Sequence, residues 1–409
     1  MYILQKSTPV DYLKNGSKKT AHFCIVFVPL QTLRKVRRSH EPSYNVSTYS
    51  AIHHSQRRDS TPVTARKLCG YSEEIYSLRA LTFLAEAALQ QWDGYRDGEK
   101  RMVACGLPKA DHSTISKKAN DVPFGVFKQL LHLLINKCNR TTRRRLRIPK
   151  ELLAVDSTTI SAGHNRLPWA PSVKGEKSGI KLHVSLLTET GELHRVTEST
   201  GKQHDSTMCI AVTDSNFILV ADRAYGNHKQ FDAYMEQEQR QYFVIRVRNN
   251  TVLHQPVYRE RKRPYKHTIE QDLTCQLGKK ATLTRNRFRV VKLKDPKGNP
   301  IILATNLHRH SAERIAEIYR QRWQIEVFFR WIKQHLNVPT LFGKTPNAVY
   351  GQLYTALIVY VLLQYVFVQG NKQVHSSARL SFAEFDRLIS FAALPPEWVV
   401  YLAHHLTFP

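Results

Sequence analysis

Ser311–Leu336, SAERIAEIYRQRWQIEVFFRWIKQHL, is the stretch on which the reading of this fold turns. It holds no Gly or Pro, Ser311 is a natural N-cap, and its length predicts one helix of about seven turns. On a helix advancing about 100° per residue, Arg322, Glu326 and Lys333 fall at about 300°, 340° and 320° from Tyr319. All four side chains then project from one narrow stripe. A carboxylate set between two cations and a phenol suits a site that holds a metal and gathers phosphates. The alternative is a salt-bridged amphipathic helix, since Arg322 and Glu326 form an ordinary i,i+4 pair.

The spacing Y-x2-R-x3-E-x6-K resembles the signature of the insertion-sequence-four family of DDE transposases, named for two aspartates and a glutamate. The resemblance implies two aspartates upstream of Glu326, and it directs the search to strands that end on Asp.

Composition points to a polyanionic partner. The 409 residues allow two or three domains and an ample core. Against 33 Asp+Glu stand 61 Lys+Arg, a net charge of +28, which favours nucleic acid over a membrane surface. The most apolar run, Leu353–Val368, is short of a bilayer span and includes Thr355 and Gln364, so it reads as a buried helix. The shorter run Phe23–Leu30 is not followed by a small-residue cleavage site, which argues against a signal peptide. Six scattered cysteines with no C-x-x-C argue against a zinc site or disulfide framework and for a reducing cytosol.

In chain order, residues 1–70 read as a basic, loosely ordered arm. Residues 71–148 read as a helical DNA-binding region. SEEIYSLRALTFLAEAALQQW repeats apolar residues at helical spacing, and VFKQLLHLLINKC is amphipathic. Between them, Asp111 or Ser113 caps a short helix with Thr114, Ser116, Lys117 and Lys118. That helix is either a recognition helix entering a major groove or a plain surface helix. The cluster Arg140–Arg147 suits phosphate contact or a solvated linker.

Residues 149–242 read as the first part of an RNase H-like core. ELLAVDSTTI predicts a buried strand ending on Asp156, and FILVADRAYG a second ending on Asp222. Between them GIKLHVSLL and LHRVTEST form a hairpin around Gly191, and GKQHDSTMCIAV supplies a crossover helix. Strand, hairpin, helix, strand is the order that brings the two aspartates side by side at one sheet end. The stretch from Asp222 to Glu326 is too long for a loop. Residues 243–310 read as a β-rich insertion, with strands in YFVIRVRNN, TLTRNRFRVVKLKD and IILATNL. The Arg259–Arg263 run and the strand around Arg285–Arg289 give it a positive face. Residues 311–409 return to the core as its helical C-terminal part.

Hydrolysis of a DNA phosphodiester needs an activated water and charge neutralisation at the leaving oxygen, which two divalent ions about 4 Å apart supply. Mg²⁺ takes oxygen ligands and keeps waters, so a few carboxylates suffice. Asp156, Asp222 and Glu326 make such a set. Held together without a cation, they would repel one another. Each Asp taken alone reads first as an ordinary cap or turn residue after a strand; two apolar strands each closing on Asp, with a third carboxylate in the helix, favour the site.

VDSTTI, the G-x-x-H-D of Gly201–Asp205, ADRAYG and the Tyr319–Lys333 helix occur in the order the insertion-sequence-four family uses, over roughly Ser113–Gln364. The resemblance implies that Asp156, Asp222 and Glu326 are the catalytic triad and hold Mg²⁺, two ions, with Mn²⁺ able to substitute. It implies that Tyr319, Arg322 and Lys333 contact the DNA backbone. It further implies cut-and-paste transposition: end nicking, hairpin formation, strand transfer into double-stranded target DNA, and a homodimer that pairs two ends. Relatives stack a flipped base on a Trp in the insertion; 243–310 holds no Trp, and Phe288 or Tyr265 could serve. Trp323 and Trp331 read as core before base contacts, His204 and Asp205 as structural before a role in holding a ligand carboxylate from behind, and Arg223 as a phosphate contact, a group orienting a carboxylate, or a structural ion pair.

The expected fold is therefore α/β, an RNase H-like core with a β-rich insertion subdomain and an N-terminal helical region. The expected function is DNA transposition by a cytoplasmic, nucleoid-associated, bacterial-type enzyme with no membrane partner. The alternatives are a catalytically inactive DNA-binding remnant and another RNase H-like nuclease.

Overall fold

The computed structural model describes residues 79–143, 151–171, 177–259, 269–390 and 393–406. Outside them lie the 1–70 arm, Arg144, Arg145 and Arg147 of the arginine cluster, residues 260–263, and Tyr265. The chain forms two compact units. One takes residues up to Phe127 together with Thr340 onward; the other is Lys128–Pro339.

The first unit is helical among its described residues. The apolar spacing of 72–92 yields a helix over residues 79–89 whose Phe83, Leu84 and Ala87 are buried. Trp92 follows, fully buried and edge-on to Phe83 at 5.1 Å. Asp111 caps the His112–Asp121 helix, its Oδ1 accepting the Ser113 N–H at 2.7 Å, and leaves Thr114 and Lys117 exposed. The long Pro346–Gln373 helix starts on the Thr345 cap with Pro in its first turn. It is long and apolar enough to cross a bilayer by composition, yet every residue from Gly351 to Val361 is buried. Gly370 must be Gly there, because a Cβ would lie 2.3 Å from the Trp398 ring.

The second unit is built on one sheet. Its strands are β1 (Leu152–Gly163), β2 (Lys177–Leu187), β3 (Leu193–Thr200), β4 (Ile218–Ala221), β5 (Tyr242–Val247), β6 (Leu253–Tyr258), β7 (Ile269–Leu277), β8 (Phe288–Lys294) and β9 (Pro300–Thr305). They run in the order β3-β2-β1-β4-β5-β9-β8-β7-β6. β1, β4 and β5 are parallel neighbours; every other pair is antiparallel. The strands read as an insertion thus continue the sheet, with β5 hydrogen-bonded to β4 and β9 to β5, and residue 243 is not a boundary within it.

Central strands are apolar on both faces, as burial on both sides requires. Leu153, Val155, Leu219, Ala221, Phe243 and Ile245 face the helices Asp205–Val212 and His228–Glu236, meeting Cys209, Phe231 and Tyr234. The alternate residues Leu152, Ile218, Val220 and Val244 face Ile315, Ile318 and Tyr319 of the helix Ala312–Arg320. Fully burying each such side chain contributes about 1.5–3 kcal/mol.

Three expectations need correction. Asp156 does not end its strand: β1 runs on to Gly163, paired with β2 throughout, while β4 stops at Ala221. Ser311–Leu336 is not one helix but two, Ala312–Arg320 and Trp323–His335. Arg322 N–H bonds Tyr319 O, Gln324 N–H bonds Gln321 O and Ile325 N–H bonds Arg322 O, each at 3.1 Å, so i→i−3 bonds tighten the junction. Arg289 does not line a positive face; its side chain is 2% exposed. It forks onto both Asp272 oxygens at 2.9 and 2.7 Å and donates to Leu307 O at 3.0 Å, clamping the chain ahead of Ala312–Arg320.

Candidate functional site

β1 and β4 pair in parallel with Val155 opposite Ala221, so the next residues, Asp156 and Asp222, fall side by side. β4 ends there while β1 continues, leaving a step in the sheet. Strand alternation turns both carboxylates to the face covered by Ala312–Arg320, the side of Ile218 and Val220. Asp222 is extended and leads into a short turn, Arg223–Tyr225. Arg223 is exposed and makes no ion pair among the described residues.

The signature residues close over this step. Ser311 caps Ala312–Arg320 by accepting the Arg314 N–H at 3.2 Å. One turn before its end, the buried Tyr319 donates its hydroxyl to Asp222 Oδ1 at 3.3 Å. Arg322 sits at the helix junction. Its Nη1 lies 3.5 Å from Asp156 Oδ2, its Nη2 is in close contact with Glu326 Oε1, and its guanidinium carbon is 5.7 Å from the Tyr319 ring centre. Glu326 lies in the first turn of Trp323–His335, which packs on β1 and β2. Two helical turns on, on the same face, Lys333 is exposed and makes no ion pair among the described residues. The stripe drawn on a single helix is therefore broken, yet Tyr319, Arg322 and Glu326 meet the two aspartates.

Electrostatics mark the group. Burial pushes Asp156 up to about 6, and repulsion from Asp222 and Glu326 adds to it; the Ser157 N–H and Arg322 pull the other way. Burial, then the Asp222 charge, raises the Tyr319 phenol. Three carboxylates face one guanidinium, an imbalance that suits a divalent cation, and a donor set of oxygens alone selects a hard one.

The sequence reading left one layer undeciphered. Asp205, singled out with His204 and read as structural before a role in holding a ligand carboxylate from behind, begins the Asp205–Val212 helix and accepts from Ser157 Oγ at 2.8 Å and Lys181 Nζ at 3.1 Å. Trp331 is buried as read, but Trp323 is not core: it is 51% exposed, under the Arg330 guanidinium at 5.7 Å. In the helical unit Glu99, Asp111 and His112 also cluster. That group is explained by the Asp111 cap and a 2.8 Å hydrogen bond between His112 and Glu99.

Residues 147–362, just over half of the chain, match the family model described as the transposase DDE domain. The chain is 47% identical over 328 residues to the probable transposase for insertion sequence element IS5377 of Geobacillus stearothermophilus, covering 80% of this chain and 86% of that protein. It is 28% identical over 265 residues to a protein of Synechocystis sp. described as a transposase for insertion sequence element IS4SA, covering 63% and 72%. A loose overlap, TM-score 0.44 at 14% identity, extends over 95% of this chain and 82% of the piggyBac transposase in its synaptic complex with hairpin DNA.

Proposed function

We propose, from the premise that this chain belongs to the DDE transposase family of insertion sequences, that Asp156, Asp222 and Glu326 are its catalytic, metal-holding carboxylates. The protein is an insertion-sequence transposase, an enzyme that cleaves DNA. The observation that carries the site assignment is the adjacent register of Asp156 and Asp222 on parallel strands, with Arg322 joining Asp156 to Glu326. We read the core as RNase H-like. The strand order β3-β2-β1-β4-β5, antiparallel in its first three strands and parallel across β1, β4 and β5, supports that reading.

DDE transposases use divalent metal, and the oxygen-only donor set fits Mg²⁺, two ions in our reading, with Mn²⁺ able to substitute. Such ions, when bound, supply an activated water and neutralise charge at the leaving oxygen. The protein groups have separate tasks. Tyr319 orients the Asp222 carboxylate through its hydroxyl. Arg322 holds Asp156 and Glu326 toward one another and balances part of their charge. Arg322 and Tyr319 at this step, and the exposed Lys333 beyond it, take the phosphates of the element's end. Nicking, strand transfer and cut-and-paste movement by a homodimer acting on double-stranded DNA in the cytoplasm complete the reading.

The test uses DNA carrying the gene's own flanks. Wild-type protein should leave metal-dependent 3′-hydroxyl ends at a flank boundary. Glu326→Gln should bind the same DNA and leave none. Equal loss of binding and nicking would make Glu326 structural.

A further inference from the structure

Behind the step that carries Asp156 and Asp222 lies a polar layer to which the proposed function gives no task. Asp156 and Ser157 are consecutive on β1, so their side chains leave opposite faces of the sheet. The Asp156 side chain meets Arg322. Ser157 goes the other way, into a space otherwise filled by the apolar packing of the Asp205–Val212 helix. There its Oγ donates to Asp205 Oδ1 at 2.8 Å. Lys181 Nζ donates to the same oxygen and to Gln203 O, both at 3.1 Å, which balances the half-buried charge. His183, fully buried and opposite Ser157 in the β1–β2 register, brings Nδ1 to 3.8 Å from that oxygen. Its Nε2 shares a 2.7 Å hydrogen bond with Ser199 Oγ, which also lies 3.2 Å from Thr200 O. The row is fixed from β3 through β2 to β1.

The link to the site is a single peptide. The Ser157 N–H donates to Asp156 Oδ1 at 2.8 Å. That bond fixes the rotation of the Asp156 carboxylate, and the N–H is only as fixed as Ser157 itself. On the face covered by the Asp205–Val212 helix, Ser157 is held by Asp205.

The geometry points to Asp205 as a positioning residue for Asp156, acting through Ser157 to set the angle at which the Asp156 carboxylate meets a divalent cation. It touches neither DNA nor cation. This rests on the reading of Asp156 as a metal ligand. The bland alternative is that Asp205 does no more than pin a short helix to the sheet.

The test is Mn²⁺ binding to the full chain without DNA, read by the paramagnetic signal of the free ion. It runs alongside the thermal midpoint and the binding of flank DNA in chelator. Asp156→Asn should lose the ion. Ser157→Ala, which removes only the hydroxyl link, should weaken Mn²⁺ roughly 10- to 100-fold, the range for removing an outer partner of a ligand. Its DNA binding in chelator and its thermal midpoint should stay near wild type. Asp205→Ala should weaken the ion as much, and Asp205→Asn should recover most of the affinity, because its amide oxygen still accepts from Ser157. If Asp156→Asn loses the ion and Ser157→Ala does not, the positioning role is wrong and the ligand reading survives. If Asp156→Asn keeps the ion, the ligand reading falls and the positioning role with it. Should Asp205→Ala fail to fold, Ser157→Ala decides alone.

Discussion

Asp156 holds its proton about two pH units above an ordinary aspartate, through burial first and its carboxylate neighbours second. The native chain therefore binds more protons than the unfolded chain between about pH 4 and 6, and this group takes stability away as pH rises through that window. As a ligand in the proposed site, Asp156 must give up that proton to a cation. We expect Mn²⁺ affinity to fall about tenfold per unit below pH 6 and to level off above 7. Added ion should accordingly raise the thermal midpoint more at pH 7 than at pH 5. A flat affinity from pH 5 to 8 would remove Asp156 from the ligand set. At this scale the sequence was informative, because a polar residue closing an apolar run stands out, as Asp156 does after Leu152–Val155 and Asp222 after Phe217–Ala221. It was silent on Trp323, whose exposure follows from the helix junction beside it and not from its spacing to Trp331.

Elements carry the site into register. The helix Ala312–Arg320 brings Tyr319 to Asp222 only if its start is fixed, and that start is held by Arg289 reaching back from β8 to Leu307 O and His310 O. Arg289→Met would leave Asp272, itself 6% exposed, buried without its bidentate partner, with Arg259 3.9 Å away as a poor replacement. We expect a loss of about 3–5 kcal/mol in urea unfolding, largely recovered in Arg289→Met/Asp272→Leu. A loss under about 1 kcal/mol would mean that Arg259 takes over the pair. None of this is legible locally. Arg289 looks like one more cation in a basic strand, and its partner lies 17 residues earlier on the neighbouring strand, in a stretch, DLTCQL, whose mixed pattern did not announce β7. The junction after Arg320 is hidden for the same reason, since no Gly or Pro marks it and tertiary contacts of Arg322 hold it.

At the scale of the whole molecule, a net charge of +28 sets how the protein meets DNA. Binding should weaken steeply with salt as counterions return to the phosphates. Lys333→Ala should lower the slope of log affinity against log salt by about 0.9 and weaken flank and unrelated DNA alike. An unchanged slope would take Lys333 off the backbone. The order of core strands could be read from the sequence because each step from Pro149 to Asp222 is short and strongly patterned. The joining of β5 to β9 could not, because partners so far apart in the chain leave no local mark on either strand.

β9 has a further consequence, visible when the chain is followed as the ribosome makes it. The strands β6, β7 and β8 emerge before the one strand that ties them to β5. Until Pro300–Thr305 is out, the early half, with Asp156 and Asp222 already made, and the later half have no shared edge. Tyr319, Arg322 and Glu326 follow only after that weld. On the proposed assignment, a nascent chain halted anywhere before Glu326 has two of the three acids and should not cut. The proposed site would then be completed only late in translation, after most of the chain has been made.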